Sequence, residues 1–579
     1  MRRIILCLSI ILITSLAFAQ NFNSFRNLST GGALQGEVEK AFDPVDLYSL
    51  NGIHLFSGLS NLSANDKIFA NDGESYFLLG AASDKVFIKN LKGSLFFKFS
   101  DVQSPKAITY NPGIGTTPLT GEGQVHSKWE MYKDTNNNDL YDRYESKTMT
   151  LKNSEEKQKM DLFLVLSHKL RDDLVMGYRF GYINAGESKN AARQEMQLAD
   201  MDSHSYDIVT ILKNLQDFDP IISQYEKTNR EKGDFSTENT SNKIQNQIAA
   251  MLDREKWDLS IYLRNEYGTD KDITDDKASS YEEELSADYY IDKNENFILK
   301  DEYKGMINQL FGRFRYKFLE TKRFRYPGNL ALGLGFRHSF FKSNYTEDTI
   351  YEHDDIDFLD DRYTRLATDK YSYDADAKGL GFMGSVVLSY PLNERTMLGM
   401  GLLCDINKVK REGDYSFSFE AETSSFTDVS DWQNTSTAYQ YEKGDITLED
   451  ISSTLSVPVG LEYWFTNNMK WAMRFGSMFK RTMKIEKSLH EPTLITPRTV
   501  QDEWADGSVN ITHLPYVSEL ENLSNTKVIN STDLSYGICY QANKNLKIEL
   551  LGMFEKGNTD LWNTDFIQSL KLSFSLKFD

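Results

Sequence analysis

Thr564-Asp565-Phe566-Ile567-Gln568-Ser569-Leu570-Lys571-Leu572-Ser573-Phe574-Ser575-Leu576-Lys577-Phe578 closes the chain. Phe566, Leu570, Leu572, Phe574, Leu576 and Phe578 share one parity. Asp565, Ser569, Lys571, Ser573, Ser575 and Lys577 share the other. A period of two, with one apolar and one wet face, specifies a β-strand and excludes an amphipathic helix.

The same pattern recurs upstream. From residue 158 onward, alternating segments come in pairs around short polar turns. Residues 160–170 and 174–183 flank Arg171-Asp172-Asp173. Residues 380–391 and 396–407 flank Asn393-Glu394-Arg395. Residues 534–542 and 546–554 flank Asn543-Lys544-Asn545. Asn and Asp suit such turns because they tolerate the required dihedrals. Between the pairs lie long polar stretches at 105–157, 185–239, 268–297, 346–370, 421–445 and 486–525. These read as long loops. A soluble sandwich would not sort its connections into two lengths by end, whereas an up-and-down transmembrane barrel does.

The expected fold is therefore all-β: a transmembrane antiparallel barrel with short periplasmic turns and long extracellular loops. The final strand must run inward. Counting back from it gives about 14 strands, or 16 when candidates at 53–60 and 76–82 are included. The faces agree across strands. Leu330, Leu332, Leu334 and Phe336 share the outward parity, as do Trp471, Met473 and Phe475. Arg179, Arg264, Arg313, Arg315, Arg337, Arg474, Asp258, Glu266, Asp405, Glu462 and Glu549 take the inward one. A charge on the lipid side of a barrel costs about 2–4 kcal/mol at the midplane, which is a cause for that sorting.

Composition supports this class. Aromatic residues make up 13% and hydrophobic residues 40% of 579 residues. A barrel needs only alternate residues apolar and concentrates aromatics at its interfaces. The formal charge of −20 argues against a nucleic-acid partner. Residues 1–19 read as a signal peptide: Arg2 and Arg3, an apolar run, then Ala17-Phe18-Ala19. The expected location is the bacterial outer membrane, with its lipid and the barrel-assembly machinery as partners. Parity sends Cys404 outward and Cys539 inward, so no disulfide joins them.

Residues 20–50 break the alternation. Leu34, Val38 and Phe42 lie on one face of a short helix, which Asp43-Pro44 would end. This segment is expected to be a lumenal plug or a periplasmic tail, with residues 51–579 forming the barrel.

Chemistry-bearing motifs are few. Residues 134–145 approach the calcium-loop pattern, with Asp139 where Gly is usual. Asp134, Asn136, Asn138, Asp142 and Glu145 offer side-chain oxygens and Leu140 a carbonyl, the hard donors that calcium takes. The plainer reading is a solvated polar turn. The Asp-rich 346–376 region, with Asp354-Asp355 and Asp360-Asp361, is read chiefly as a solvated face. His168 and His338 share the outward parity, while His126, His204 and His353 fall in expected loops. No nucleophile motif is recognisable, so no enzyme is expected.

The layout of signal peptide, short N-terminal segment and about 14 strands resembles the FadL-type (OMPP1/TodX) hydrophobic-compound transporters. That resemblance is architectural and carries no residue-level motif. It implies a hatch formed by the N-terminal segment, a small hydrophobic solute as cargo, and exit through the barrel wall. The rival expectation is a surface-displayed adhesion or assembly barrel without transport.

Overall fold

The computed structural model describes residues 24–60, 75–86, 90–104, 125–132, 144–203, 223–284, 289–318, 328–356, 362–427, 432–465, 470–515, 520, 522–556 and 571–578. Eighteen strands form one sheet. The first four are β1 (Ile53–Ser60), β2 (Ser75–Ser83), β3 (Leu91–Ser104) and β4 (Val125–Tyr132). Ten long strands include β5 (Tyr144–Arg171), β6 (Leu174–Ser203), β7 (Ser223–Asp253), β8 (Trp257–Glu284) and β9 (Tyr289–Lys317). They continue as β10 (Asn329–Ile356), β11 (Arg362–Pro391), β12 (Thr396–Thr427), β13 (Trp432–Trp464) and β14 (Trp471–Trp504). The last four are β15 (Val509–His513), β16 (Leu523–Gln541), β17 (Leu546–Lys556) and β18 (Lys571–Phe578).

Each strand pairs antiparallel with the next, except that β3 pairs with β5 rather than β4 and β14 pairs with β16 as well as with β15. β4 and β15 are side strands on β5 and β14. Removing those two from the 18 leaves a closed ring of 16. Closure is made by the segment that first revealed the fold: β18 pairs with β1 from Ile53↔Phe578 to Ser60↔Lys571. The ring removes the unpaired edges that an open sheet would expose. The two early candidates belong to it, which makes the strand number 16. β1 and β2 are short and rich in Gly, Ala and Ser, so their alternation is weak in sequence.

The main departure from the sequence reading is the length of the wall. Most of the polar stretches expected as loops continue as strand: 144–157 in β5, 185–203 in β6, 268–284 in β8 and 486–504 in β14. Crossing a bilayer takes about 9–11 residues of tilted strand. β10 has 28 residues, on the order of 90 Å of extended chain. Its exposed large apolar side chains, Leu332, Leu334, Phe336 and Phe340, are confined to the end near the inner turn. On β11 the same belt holds Leu380, Phe382, Val386 and Tyr390, with Tyr363 and Leu366 exposed apart from it near the other end. Beyond this belt the outward face turns largely polar while the inward face keeps buried side chains such as Phe297, Leu299, Ile446 and Leu448, so the apolar-outward alternation stops although pairing continues. The Asp173, Asn393 and Asn543 turns sit between strands where the sequence placed them. Cys404 and Cys539 are free, and Cys539 is buried.

Residues 24–50 make two short helices and a single 3-10 turn. α1 (Phe25–Ser29) is capped by Ser24, whose hydroxyl accepts from the Asn27 N–H at 3.0 Å. α2 (Glu37–Phe42) ends at Asp43, as the following proline requires. The 3-10 turn covers Asp46–Ser49. The segment touches inward-facing residues of strands on opposite sides of the ring, from β3 and β6 to β9, β13 and β17, so it lies within the lumen.

Candidate functional site

The site is the contact between this lumenal segment and the wall. Apolar anchors come first. Phe25, Ala41, Phe42, Leu47 and Leu50 are buried against Phe56, Leu78, Phe96, Phe163, Val165 and Leu551. Val45 enters a second group with Val175, Ala249, Met251 and Tyr262. The guanidinium of Arg179 lies 4.4 Å from the centre of the Phe42 ring, a cation–π contact.

Backbone meets backbone where the wall is glycine. A Cβ on Gly476 would come within 2.2 Å of Gly31 N and Thr30 C; one on Gly177 would sit 2.0 Å from the Pro44 carbonyl oxygen. Gly31 itself has φ +63, the left-handed region that glycine enters without strain. The strands thus carry a bed shaped to the segment.

Two charged clusters fix its ends. At one, Arg26 Nε donates to Glu462 Oε2 at 3.0 Å, and Arg474 Nε donates to the same oxygen at 2.8 Å. Trp464 Nε1 donates to Glu462 Oε1 at 3.0 Å. Arg474 also pairs with Glu549, which Lys547 approaches to 2.9 Å. At the other end, Arg313 Nη2 and Arg315 Nη2 donate to Asp46 Oδ1 at 3.0 and 3.1 Å. Tyr262 donates to Asp43 Oδ2 at 3.0 Å, and Arg315 Nε to Asp258 Oδ2 at 2.8 Å. Burial opposes ionisation of Asp46, but Arg313 and Arg315 overcome it and hold its carboxyl below the usual range. Asp43 goes the other way: burial, then the neighbouring Asp46, pushes its carboxyl up against the pull of Arg313. A third tether is Lys92, which donates to the Tyr48 carbonyl at 2.7 Å, to Asn51 Oδ1 at 2.9 Å and to the Leu50 carbonyl.

A small cavity opens beside the segment where the ring closes. Phe25, Val38, Phe56 and Leu78 give it an apolar side; Glu549, Lys547 and Ser573 give it a polar one. It lies at the β17–β18–β1–β2 sector, where β18 pairs with β1.

Of the charged residues given inward parity by the sequence, Arg313, Arg315 and Glu462 pair with the segment, Asp258, Arg474 and Glu549 pair with those or with one another in the wall, and Arg264 with Glu266 and Arg337 with Asp405 pair away from it. The segment's partners in these pairs, Arg26, Asp43 and Asp46, were missed as a site. The signal available was a cluster of charges in a segment otherwise burying Phe25, Leu34 and Phe42. The calcium-loop candidates Asp134, Asn136, Asn138, Leu140 and Asp142 lie outside the described residues; Glu145 is on β5 and its side chain is not described. Among the described residues no group of acidic, His or Cys side chains is arranged to hold a metal. In the Asp-rich region, Asp354 is paired with Arg362 at 3.0 Å and accepts from Tyr290 at 2.9 Å. His126 and His353, expected in loops, are in β4 and β10, because the wall continues through the polar stretches.

No family model matches the chain, and no curated protein matches it in sequence. Among solved structures it aligns with the ferric enterobactin receptor PfeA of Pseudomonas aeruginosa at 9% identity and TM-score 0.27, over 91% of this chain and 81% of that one. The alcaligin receptor FauA of Bordetella pertussis aligns at 9% identity and TM-score 0.22, over 91% and 75%. The pyoverdine receptor FpvA of Pseudomonas aeruginosa PAO1 aligns at 9% and 0.23, over 91% and 79%. Likeness at this level assigns the chain to no family.

Proposed function

We propose that the mature chain is a bacterial outer-membrane barrel that admits a small solute with an apolar body, and that residues 24–50 are its hatch. The closed ring and its outward apolar belt support the membrane location. Export after signal-peptide removal and insertion by the barrel-assembly machinery go with that reading. The observation that carries transport is the way the hatch is held. Ion pairs and a glycine bed seat it, and a cavity with one apolar side lies next to it. On this reading the protein is no enzyme.

The test is planar-bilayer conductance of the full chain and of Arg26→Gln. The parent should show rare, brief openings and the variant more frequent ones, because the hatch loses its anchor at Glu462. Silence in both would sink the transport reading. It would leave the rival, a display barrel, with which the burial of the inward residues Arg337, Ser339, Ser343 and Asn407 agrees.

A further inference from the structure

Above the hatch and beyond the apolar belt, the inward faces of β9 to β14 carry a layer of tyrosines that the transport reading has not used. Register places Tyr345 opposite Asp301 on β9 and opposite Tyr373 on β11. Tyr373 lies opposite Tyr415 on β12. Tyr345 and Tyr373 stack with ring centres 5.0 Å apart and planes within 5°. Tyr371 meets Tyr345 edge-on at 5.8 Å, and His490 of β14 meets Tyr415 edge-on at 5.1 Å. Tyr345, Tyr373 and Tyr415 are buried, while Tyr371 and His490 are only half-buried and form the outer rim.

Acceptors line this layer. Tyr345 donates to Glu347 Oε2 at 2.7 Å and Tyr415 to Glu442 Oε1 at 2.5 Å. Asp301 is 0% exposed. Its Oδ2 accepts from Tyr303 at 2.8 Å, but its Oδ1 meets no donor among the described residues. The guanidinium of Arg411, whose charge acts on Asp301, is engaged by Asp450 and lies 3.3 Å from the Tyr303 hydroxyl. A buried carboxylate oxygen without a donor is costly. Electron-rich ring faces beside it attract a cation, the more so when water is excluded. Burial pushes the Asp301 carboxyl up to about 7, against the hydrogen bond from Tyr303. A cation alongside would favour its ionised form.

We propose that this layer is a binding site for a solute bearing a protonated amine on an apolar or aromatic frame. The ammonium donates to Asp301 Oδ1, and the frame slides against the faces of Tyr345, Tyr371 and Tyr373. Entry is from the outer rim, where Tyr371 and His490, hydrogen-bonded at 3.0 Å, have to part. The proposal rests on the transport reading, since it names the solute class that the lumen would admit.

The test is calorimetric titration of the full chain, folded in detergent, with 2-phenylethylamine and with phenylacetate, which has the same frame and the opposite charge. The amine should bind saturably and phenylacetate should not. Asp301→Asn should weaken amine binding about tenfold or more, the scale of a charge-assisted hydrogen bond. Tyr371→Leu, at a half-buried position, should weaken it with no change in the heat-shifted electrophoretic mobility that reports a folded barrel. If Asp301→Asn does not fold, Tyr371→Leu decides alone. Absence of amine binding, equal binding of phenylacetate, or unchanged binding in the folded variants would each overturn the proposal. Saturable amine binding with no conductance in any variant would keep this site and remove transport. Conductance without amine binding would do the reverse.

Discussion

Arg26 and Glu462 are 436 positions apart in the chain and 3.0 Å apart in the folded protein. Arg26 belongs to the lumenal segment and Glu462 to β13, where Arg474 and Trp464 share its oxygens. Glu462 is therefore both a strut of the wall and an anchor for residues 24–50.

Glu462→Gln and Arg26→Gln should separate those two roles. Removing the carboxylate leaves Arg474 and Arg26 with one fewer counter-ion. It should cost about 3–5 kcal/mol of barrel stability, as breaking one partner of a buried pair does. Arg26→Gln should leave the wall cluster intact and cost the barrel far less, while exposing residues 24–50 to protease. Urea unfolding followed by heat-shifted mobility reads the first effect and limited proteolysis the second. Equal stability losses in the two variants would contradict the division.

Glycine positions on the wall give a steric test. Gly476→Ala puts a methyl carbon within 2.2 Å of the hatch backbone, whereas the nearest atom to a Cβ on Gly384 is at 3.9 Å. Overpacking of this kind costs about 1–3 kcal/mol. Gly476→Ala should raise cleavage of the hatch and the frequency of channel openings; Gly384→Ala should change neither. The check is proteolysis and conductance on the same preparations.

Hatch seating should depend on pH through Asp46. Its carboxyl titrates lower in the seated state than when released. The stabilisation is therefore fully present above the ordinary carboxylate range and is lost as pH falls through the lowered value. Asp43, pushed upward, contributes with the opposite sign, since its seated form takes up a proton more readily. Asp46→Asn should thus loosen the hatch at neutral pH and remove the part of the acid-induced release that belongs to Asp46. Protease accessibility of residues 24–50 measured from neutral to acid pH follows both. A variant curve that superimposes on the parent's would rule this out.

The apolar belt predicts where charge is tolerated on β10. Leu334 is 64% exposed within the belt, whereas Asn344 is an exposed outward residue beyond it. Leu334→Lys should destabilise the barrel in lipid vesicles by about 2–4 kcal/mol, and Asn344→Lys by well under 1 kcal/mol. Equal costs would place the bilayer elsewhere on the wall.

The 134–145 stretch can be tested independently of the barrel. If Asp134, Asn136, Asn138, Leu140, Asp142 and Glu145 hold calcium, chelator should speed protease nicking near Tyr141, and Asp134→Ala should abolish that difference. Nicking indifferent to chelator returns the stretch to a solvated turn.

The sequence alone determined the fold class, the closing strand and the sorting of faces. Phe574 outward and Ser573 inward, or Leu334 outward and Arg337 inward, follow from a period of two. An apolar belt penalises any charge on the wrong parity, so the pattern is written residue by residue. It also located the short turns and the break in alternation at residues 20–50. It could not give the height of the wall, because above the belt the outward face is no longer apolar and pairing alone leaves little mark on hydropathy: β8 continues through Asp270, Asp272 and Asp276 as strand. The tertiary structure alone decided which charges meet. Arg26 with Glu462 and Asp46 with Arg313 meet across 436 and 267 positions because the ring closes around the segment, and Asp301 meets Tyr345 through the register of neighbouring strands. Local periodicity carries no information about such distances. A charged residue facing inward shows that it needs a partner, and only the closed ring determines which one it finds.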